Sequence, residues 1–185
     1  MQKQRVIIII DGSNFYFKLK SLRIKNTSQF NYHGFINWLK ANRQLISCTY
    51  YIGVIKARTN DIIGQRLRLQ QRKVFNHLLK HGVKIEKGFL MKSAGSFHEK
   101  GVDVKMAVDM LVGAYENIYE TVILISSDTD LVPAIKKVRE KGKEIEYIGF
   151  IHEPSLGIKR YATVTKLLSK QDLQQFAVKY AKVKQ

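Results

Sequence analysis

Val6-Ile7-Ile8-Ile9-Ile10 runs directly into Asp11-Gly12-Ser13-Asn14, and this join decides how the chain folds. Five successive β-branched residues without polar alternation read as a parallel strand buried on both faces. An ionised carboxylate at the tip of such a strand is costly unless something offsets it. Similar apolar runs lie at 46–55, 121–125 and 144–150, and a shorter strand is expected at 83–90. Helices are expected between them, at 14–23, 34–45, 62–80, 103–117 and 130–141. The second would present Phe35, Trp38, Leu39 and Leu45 to a core, and the fourth Val104, Ala107, Val108 and Leu111. The tail, 171–185, is expected to carry one more amphipathic helix. Strands alternating with helices define an α/β fold: right-handed crossovers and a mainly parallel sheet of about five strands, covered on both faces. No repeat and no Pro/Gly-rich linker divides the chain, so 1–185 reads as one domain.

The charge is uneven. Lys and Arg number 32 against 15 acids, a net of +17. Residues 1–85 hold sixteen of those cations and two acids, a net of +14, whereas residues 86–185 net only +3. Such an excess favours nucleic acid or an anionic surface as partner. Cys48 is the only cysteine, which excludes a disulfide framework and a zinc cluster and suits a reducing cytoplasm. The five histidines lack metal-ligand spacing. The first apolar run is far too short to span a membrane and lacks a signal-peptide cleavage site, so no membrane attachment is expected. No Gly-x-Gly-x-x-Gly follows the first strand, which argues against dinucleotide binding.

In an open parallel sheet, ligands bind beyond the carboxyl ends of the strands. Asp11 and Asp128 both follow apolar strands, so the fold brings them to one edge although they are 117 positions apart. Asp130 lies two residues on, and Asp103 stands at a helix start after a polar loop, 91–101, that also holds Lys92, Ser93, Gly95, His98 and Lys100. Gathered carboxylates repel and raise one another's pKa; a hard cation such as Mg²⁺ or Mn²⁺ resolves the conflict with oxygen ligands. Structural roles stay open beside this. Asp11 can form an Asx-turn, Asp103 suits a helix N-terminus, and Asp130 can be an N-cap ahead of Pro133. Asn14 can orient Asp11 or cap the first helix. Asp109 is turned about 120° from Asp103 on a helix and can pair with Lys105. Arg66, Arg68, Arg72 and Lys73 offer phosphate contacts along the 62–80 helix, or an ordinary solvated face. Lys18 and Lys20 can line the same approach. Phe15, Tyr16 and Phe17 read as core rather than stacking platforms, since three adjacent aromatics cannot all face outward.

Three segments in order carry a resemblance. They are Ile10-Asp11-Gly12-Ser13-Asn14-Phe15, Lys100-Gly101-Val102-Asp103-Val104-Lys105-Met106-Ala107-Val108-Asp109-Met110-Leu111, and Ile125-Ser126-Ser127-Asp128-Thr129-Asp130-Leu131-Val132-Pro133. Together they resemble the NYN domain family, in its LabA-like branch, within the PIN-like nuclease superfamily. The resemblance implies a three-layer α/β/α sandwich and a Mg²⁺- or Mn²⁺-dependent endoribonuclease acting on single-stranded or structured RNA by metal-activated water. Asp11, Asp103, Asp128 and Asp130 fall on the family's catalytic and metal-binding acids, Asn14 on its polar neighbour, and Asp109 on a recurrent helix acid. Ser127 stands where the family often has Gly. Two rival readings remain. One is a PIN-like module that binds RNA without cutting it. The other is an aspartyl-nucleophile phosphohydrolase, which usually needs a second acid where this chain has Ser13.

Overall fold

The computed structural model describes residues 3–55, 59–93 and 96–177. The chain runs β1 (Arg5–Asp11), α1 (Gly12–Ser21), α2 (Tyr32–Lys40), β2 (Gln44–Val54), α3 (Ile62–Lys80), β3 (Lys84–Ser93) and β4 (Ser96–Lys100). It continues with α4 (Val102–Tyr115), β5 (Thr121–Ile125), α5 (Val132–Glu140), β6 (Glu144–Phe150), α6 (Leu156–Tyr161), β7 (Val164–Leu168) and α7 (Lys170–Gln174). The strands form one sheet in the order β4-β3-β2-β1-β5-β6-β7. Six are parallel, and β4 turns back antiparallel on β3 at the edge.

β1 lies at the centre because its apolar run satisfies both faces at once. Val6, Ile8 and Ile10 pack with Phe15, Leu19 and Phe35 on one side. Ile7 and Ile9 pack with Met106, Met110 and Ile135 on the other. This is the two-residue period of a strand written into two cores. α1, α2, α3 and α7 cover the first face, and α4, α5 and α6 the second, giving the three-layer α/β fold expected. α3 starts on Asp61, whose carboxylate accepts from the Gly64 N–H at 2.9 Å, and ends before Gly82 at φ +71°.

The differences from the sequence reading lie at edges and faces. Among the described residues the sheet has seven strands, where about five are expected from the sequence. The segment expected as a loop at 91–101 is largely the β3–β4 hairpin, in which Phe89 pairs with Lys100 and Ser93 with Ser96; of the loop residues named above, Gly95 is outside the described set. β7 was not anticipated either. Edge strands need no continuous apolar run, so hydrophobic pattern does not announce them. Leu45 belongs to β2, not to α2, because Ala41 takes φ +49° and ends the helix. On α4 the buried residues are Val102, Met106, Met110, Gly113 and Ala114, while Val104 and Val108 are 60% and 48% exposed. α7 is short, and the tail beyond 177 lies outside the described residues.

Candidate active site

After β1 the chain moves outward to β2 and β3, then returns through α4 to β5 on the other side of β1. The strand order therefore reverses between β1 and β5, the switch point at which sheets of this kind form a ligand crevice beyond the carboxyl ends of the strands. Asp11 ends β1 there, only 8% exposed. Its Oδ1 accepts from the Asn14 N–H at 3.0 Å, so Asp11 caps α1 and Asn14 supplies the capped amide. Its Oδ2 accepts from the Ser126 hydroxyl at 2.9 Å. Ser126 follows β5, and its Oγ in turn accepts from the Asp128 N–H at 3.1 Å. The Asp128 Oδ1 accepts from the Asp130 N–H at 2.9 Å, capping the 3-10 turn Thr129–Leu131. One buried hydroxyl thus joins the two aspartate segments across the crevice. Gly12 permits the start of α1 to lie close against β2: a Cβ there would lie 2.2 Å from the Tyr50 ring and 2.8 Å from the Tyr51 carbonyl oxygen.

Asp103 is half-buried in the first turn of α4, whose helix packs against the Thr129–Leu131 turn. Asp130 is exposed, and the capping role considered for it belongs to Asp128. Among the described residues, no three Asp, Glu, His or Cys side chains lie close enough together to hold a metal by themselves. Hydrogen bonds join the Asp11 and Asp128 segments through Ser126; Asp103 stands on the helix that packs against the turn holding Asp130. The donor set nonetheless fits a hard cation. The Asn14 Oδ1 and Ser127 Oγ, on residues that neighbour the two aspartates in sequence, are buried without a hydrogen-bond partner among the described residues. A buried polar atom left unpaired costs about 1–3 kcal/mol, and oxygens of this kind are what Mg²⁺ or its water shell takes.

Asp109 is used differently from the sequence expectation. Its Oδ2 accepts from the Tyr51 hydroxyl at 2.7 Å, and Lys105 pairs with Glu86 at 2.9 Å instead. The bond fastens α4 to β2, and burial together with Asp109 raises the Tyr51 pKa. Cys48 is buried, and burial pushes its thiol up to about 12. At neutral pH it is no thiolate nucleophile.

The expected phosphate contacts are spread over different surfaces. Lys18 is 8% exposed and donates to the Glu153 carboxylate at 2.6 Å and to its backbone oxygen at 3.3 Å. That ion pair engages the Lys18 ammonium at the edge of the fold. Lys20 is exposed, 6.0 Å from the Tyr16 ring centre. All four α3 cations are exposed, but they divide by face. Lys73 borders a cavity against β2, whereas Arg68 and Arg72 line a shallow depression with Thr59, Gln65 and Leu69. Of the three adjacent aromatics only Phe15 is core; Tyr16 and Phe17 are 37% and 63% exposed.

A parallel sheet between helical layers, with acids where the strand order reverses, is consistent with a PIN-like sandwich. Residues 5–168 match the NYN domain. The chain belongs to the NYN domain family and is thereby a member of the PIN-like nucleases. In fold it is similar to a protein of unknown function from Vibrio parahaemolyticus, at a TM-score of 0.62 and 20% identity, over 91% of this chain and 93% of that one. In sequence it is similar to an uncharacterized protein of Methanocaldococcus jannaschii, 39% identical over 66 residues. That match spans 35% of this chain and only 25% of the relative. Among the described residues, no helix is long and apolar enough to cross a membrane.

Proposed function

We propose that this chain is a Mg²⁺- or Mn²⁺-dependent endoribonuclease of the LabA-like branch, acting on RNA in a reducing cytoplasm. The observation that supports it is the Asp11–Ser126–Asp128 bridge, with two unpartnered buried oxygens on residues close to it in sequence, in a chain of net charge +17. Asp11, Asp103 and Asp128 would hold the cation, directly or through water, with Asp130 completing the acidic cluster. When bound, the cation would acidify a water molecule and neutralise charge on a phosphoryl oxygen. The protein's own part is positional. Ser126 fixes the Asp11 and Asp128 segments relative to one another, and the surrounding cations hold the strand by its phosphates. Burial raises the Cys48 pKa and keeps it from being a thiolate at neutral pH, and the proposed attacker is water.

The test is incubation of labelled single-stranded and structured RNAs with Mg²⁺, Mn²⁺ or EDTA, beside Asp128→Asn. Cutting with either metal should be lost in EDTA and in the variant, with RNA binding and thermal midpoint retained. Cutting that persists in both would sink the assignment. RNA that is bound under every metal condition and never cut would establish the binding module instead.

A further inference from the structure

One helical turn beyond Asp11 lies a cavity of about 420 Å³ between α1, α3 and the end of β2. We propose that it is a nucleobase pocket, receiving one unpaired base of the RNA strand whose backbone runs over Asp11 and Asp128, with the Tyr16 ring as its stacking surface. The proposal rests on the ribonuclease reading and adds a subsite to it.

Position is the first argument. Tyr16 is five residues after Asp11 on the helix that Asp11 caps, about 7.5 Å along the axis. Tyr50 lines the cavity, and its hydroxyl donates to the Gly12 carbonyl at 3.1 Å. One hydrogen bond therefore ties a wall of the pocket to the residue that follows Asp11. Chemistry is the second. Ile52, Leu67 and Val74 supply apolar walls, while Ser28, Gln70 and Lys73 supply a hydroxyl, an amide and a cation. An apolar slot with a few polar groups is how small-molecule sites are built. Unpaired bases in RNA are recognised by stacking on aromatic rings and hydrogen bonding along their edges. Charge is the third. No carboxylate is among the described residues lining this cavity, and Lys20 stands near the Tyr16 ring. By contrast the cavity of about 260 Å³ on the opposite sheet face carries two carboxylates, Glu86 and Asp109, beside Lys84.

The experiment uses single-stranded RNA oligomers carrying 2-aminopurine at each position in turn, bound to the full chain with EDTA present to keep them intact. Stacking on Tyr16 should quench the fluorescence at one position. Tyr16→Ala should abolish that quench and weaken binding about tenfold, within the range for a lost base–aromatic stack. Tyr16→Phe should restore both, and Phe17→Ala should change neither. A thermal midpoint for each variant separates lost stacking from lost folding. No position-specific quench in wild type, or a quench that survives Tyr16→Ala, overturns the pocket. If that same protein still cuts RNA with Mn²⁺, the ribonuclease reading stands without it. Wild type that binds no RNA at all overturns both.

Discussion

Ser126 carries no charge, yet its hydroxyl serves both aspartates: it donates to Asp11 and accepts from the Asp128 amide. Ser126→Ala should remove one hydrogen bond from the Asp11 carboxylate and one from the Asp128 amide. Groups that orient ligating side chains typically cost 10–100-fold when removed, and a fall of that order in single-turnover cleavage is expected, with only a small change in thermal midpoint. An unchanged rate would mean that the bridge is packing alone. Asp11 was legible in the sequence because a charge at the tip of a buried strand contradicts its surroundings. Ser126 was not, since a serine after a strand is unremarkable until its two bonds are seen. Asp128, which sequence alone explains least by structure, caps a turn through Oδ1, as Asp11 does for α1. An Asn side chain keeps an oxygen that can accept from an amide, which is why the Asp→Asn variants are expected to stay folded.

Among the elements, α3 is the clearest case of a correct range with a divided face. Its limits match the expected 62–80, but Arg66 and Lys73 lie seven residues apart, nearly two full turns, and so share a side. Arg68 and Arg72 sit roughly opposite them. For a strand entering over the Lys73 side, Arg66→Ala with Lys73→Ala should lower the slope of log affinity against log salt by about 1.4, at about 0.7 per phosphate contact. The Arg68/Arg72 pair should leave it unchanged. Anisotropy titrations across salt read both, and equal losses would show the RNA wrapping the helix. α4 teaches a second lesson. It is apolar around most of its surface, so the stripe read from periodicity, Val104, Ala107, Val108 and Leu111, is not the one that packs most deeply. Packing chose the one containing Gly113, where a Cβ would stand 2.6 Å from the Tyr119 ring. Tyr119 is fully buried and donates to the Met110 carbonyl at 2.5 Å. Helix propensity favours Gly→Ala by about 1 kcal/mol, but Gly113→Ala should destabilise by roughly 1–3 kcal/mol through overpacking. A higher urea midpoint would contradict this.

Across the whole molecule, the centre of the sheet was readable and its margins were not, because burial on both faces writes a continuous apolar run and edge position erases it. The molecule's acid response follows from three held carboxyls. A hydrogen bond from Arg5 holds Glu120 below its ordinary 4.5, one from Lys18 does the same for Glu153, and Ser169 holds Asp172 below its ordinary 3.8. Each is ionised more readily folded than unfolded, so its stabilisation is complete above the ordinary value and is lost as pH falls through the lowered one. Urea midpoints should therefore decline between about pH 5 and 3, and Glu120→Gln should flatten that decline; an equally steep fall in the variant would assign it elsewhere. The central place of β1 also has a meaning in time. Val6 pairs with Thr121, 115 residues later. At a translation rate of about 5–20 residues per second, the nascent isoleucine run waits roughly 6–23 s on the ribosome for its second neighbour. Over that interval a β-rich, uncharged segment is open to other chains, and Arg5 and Asp11 on either side of it are the gatekeepers that discourage such pairing.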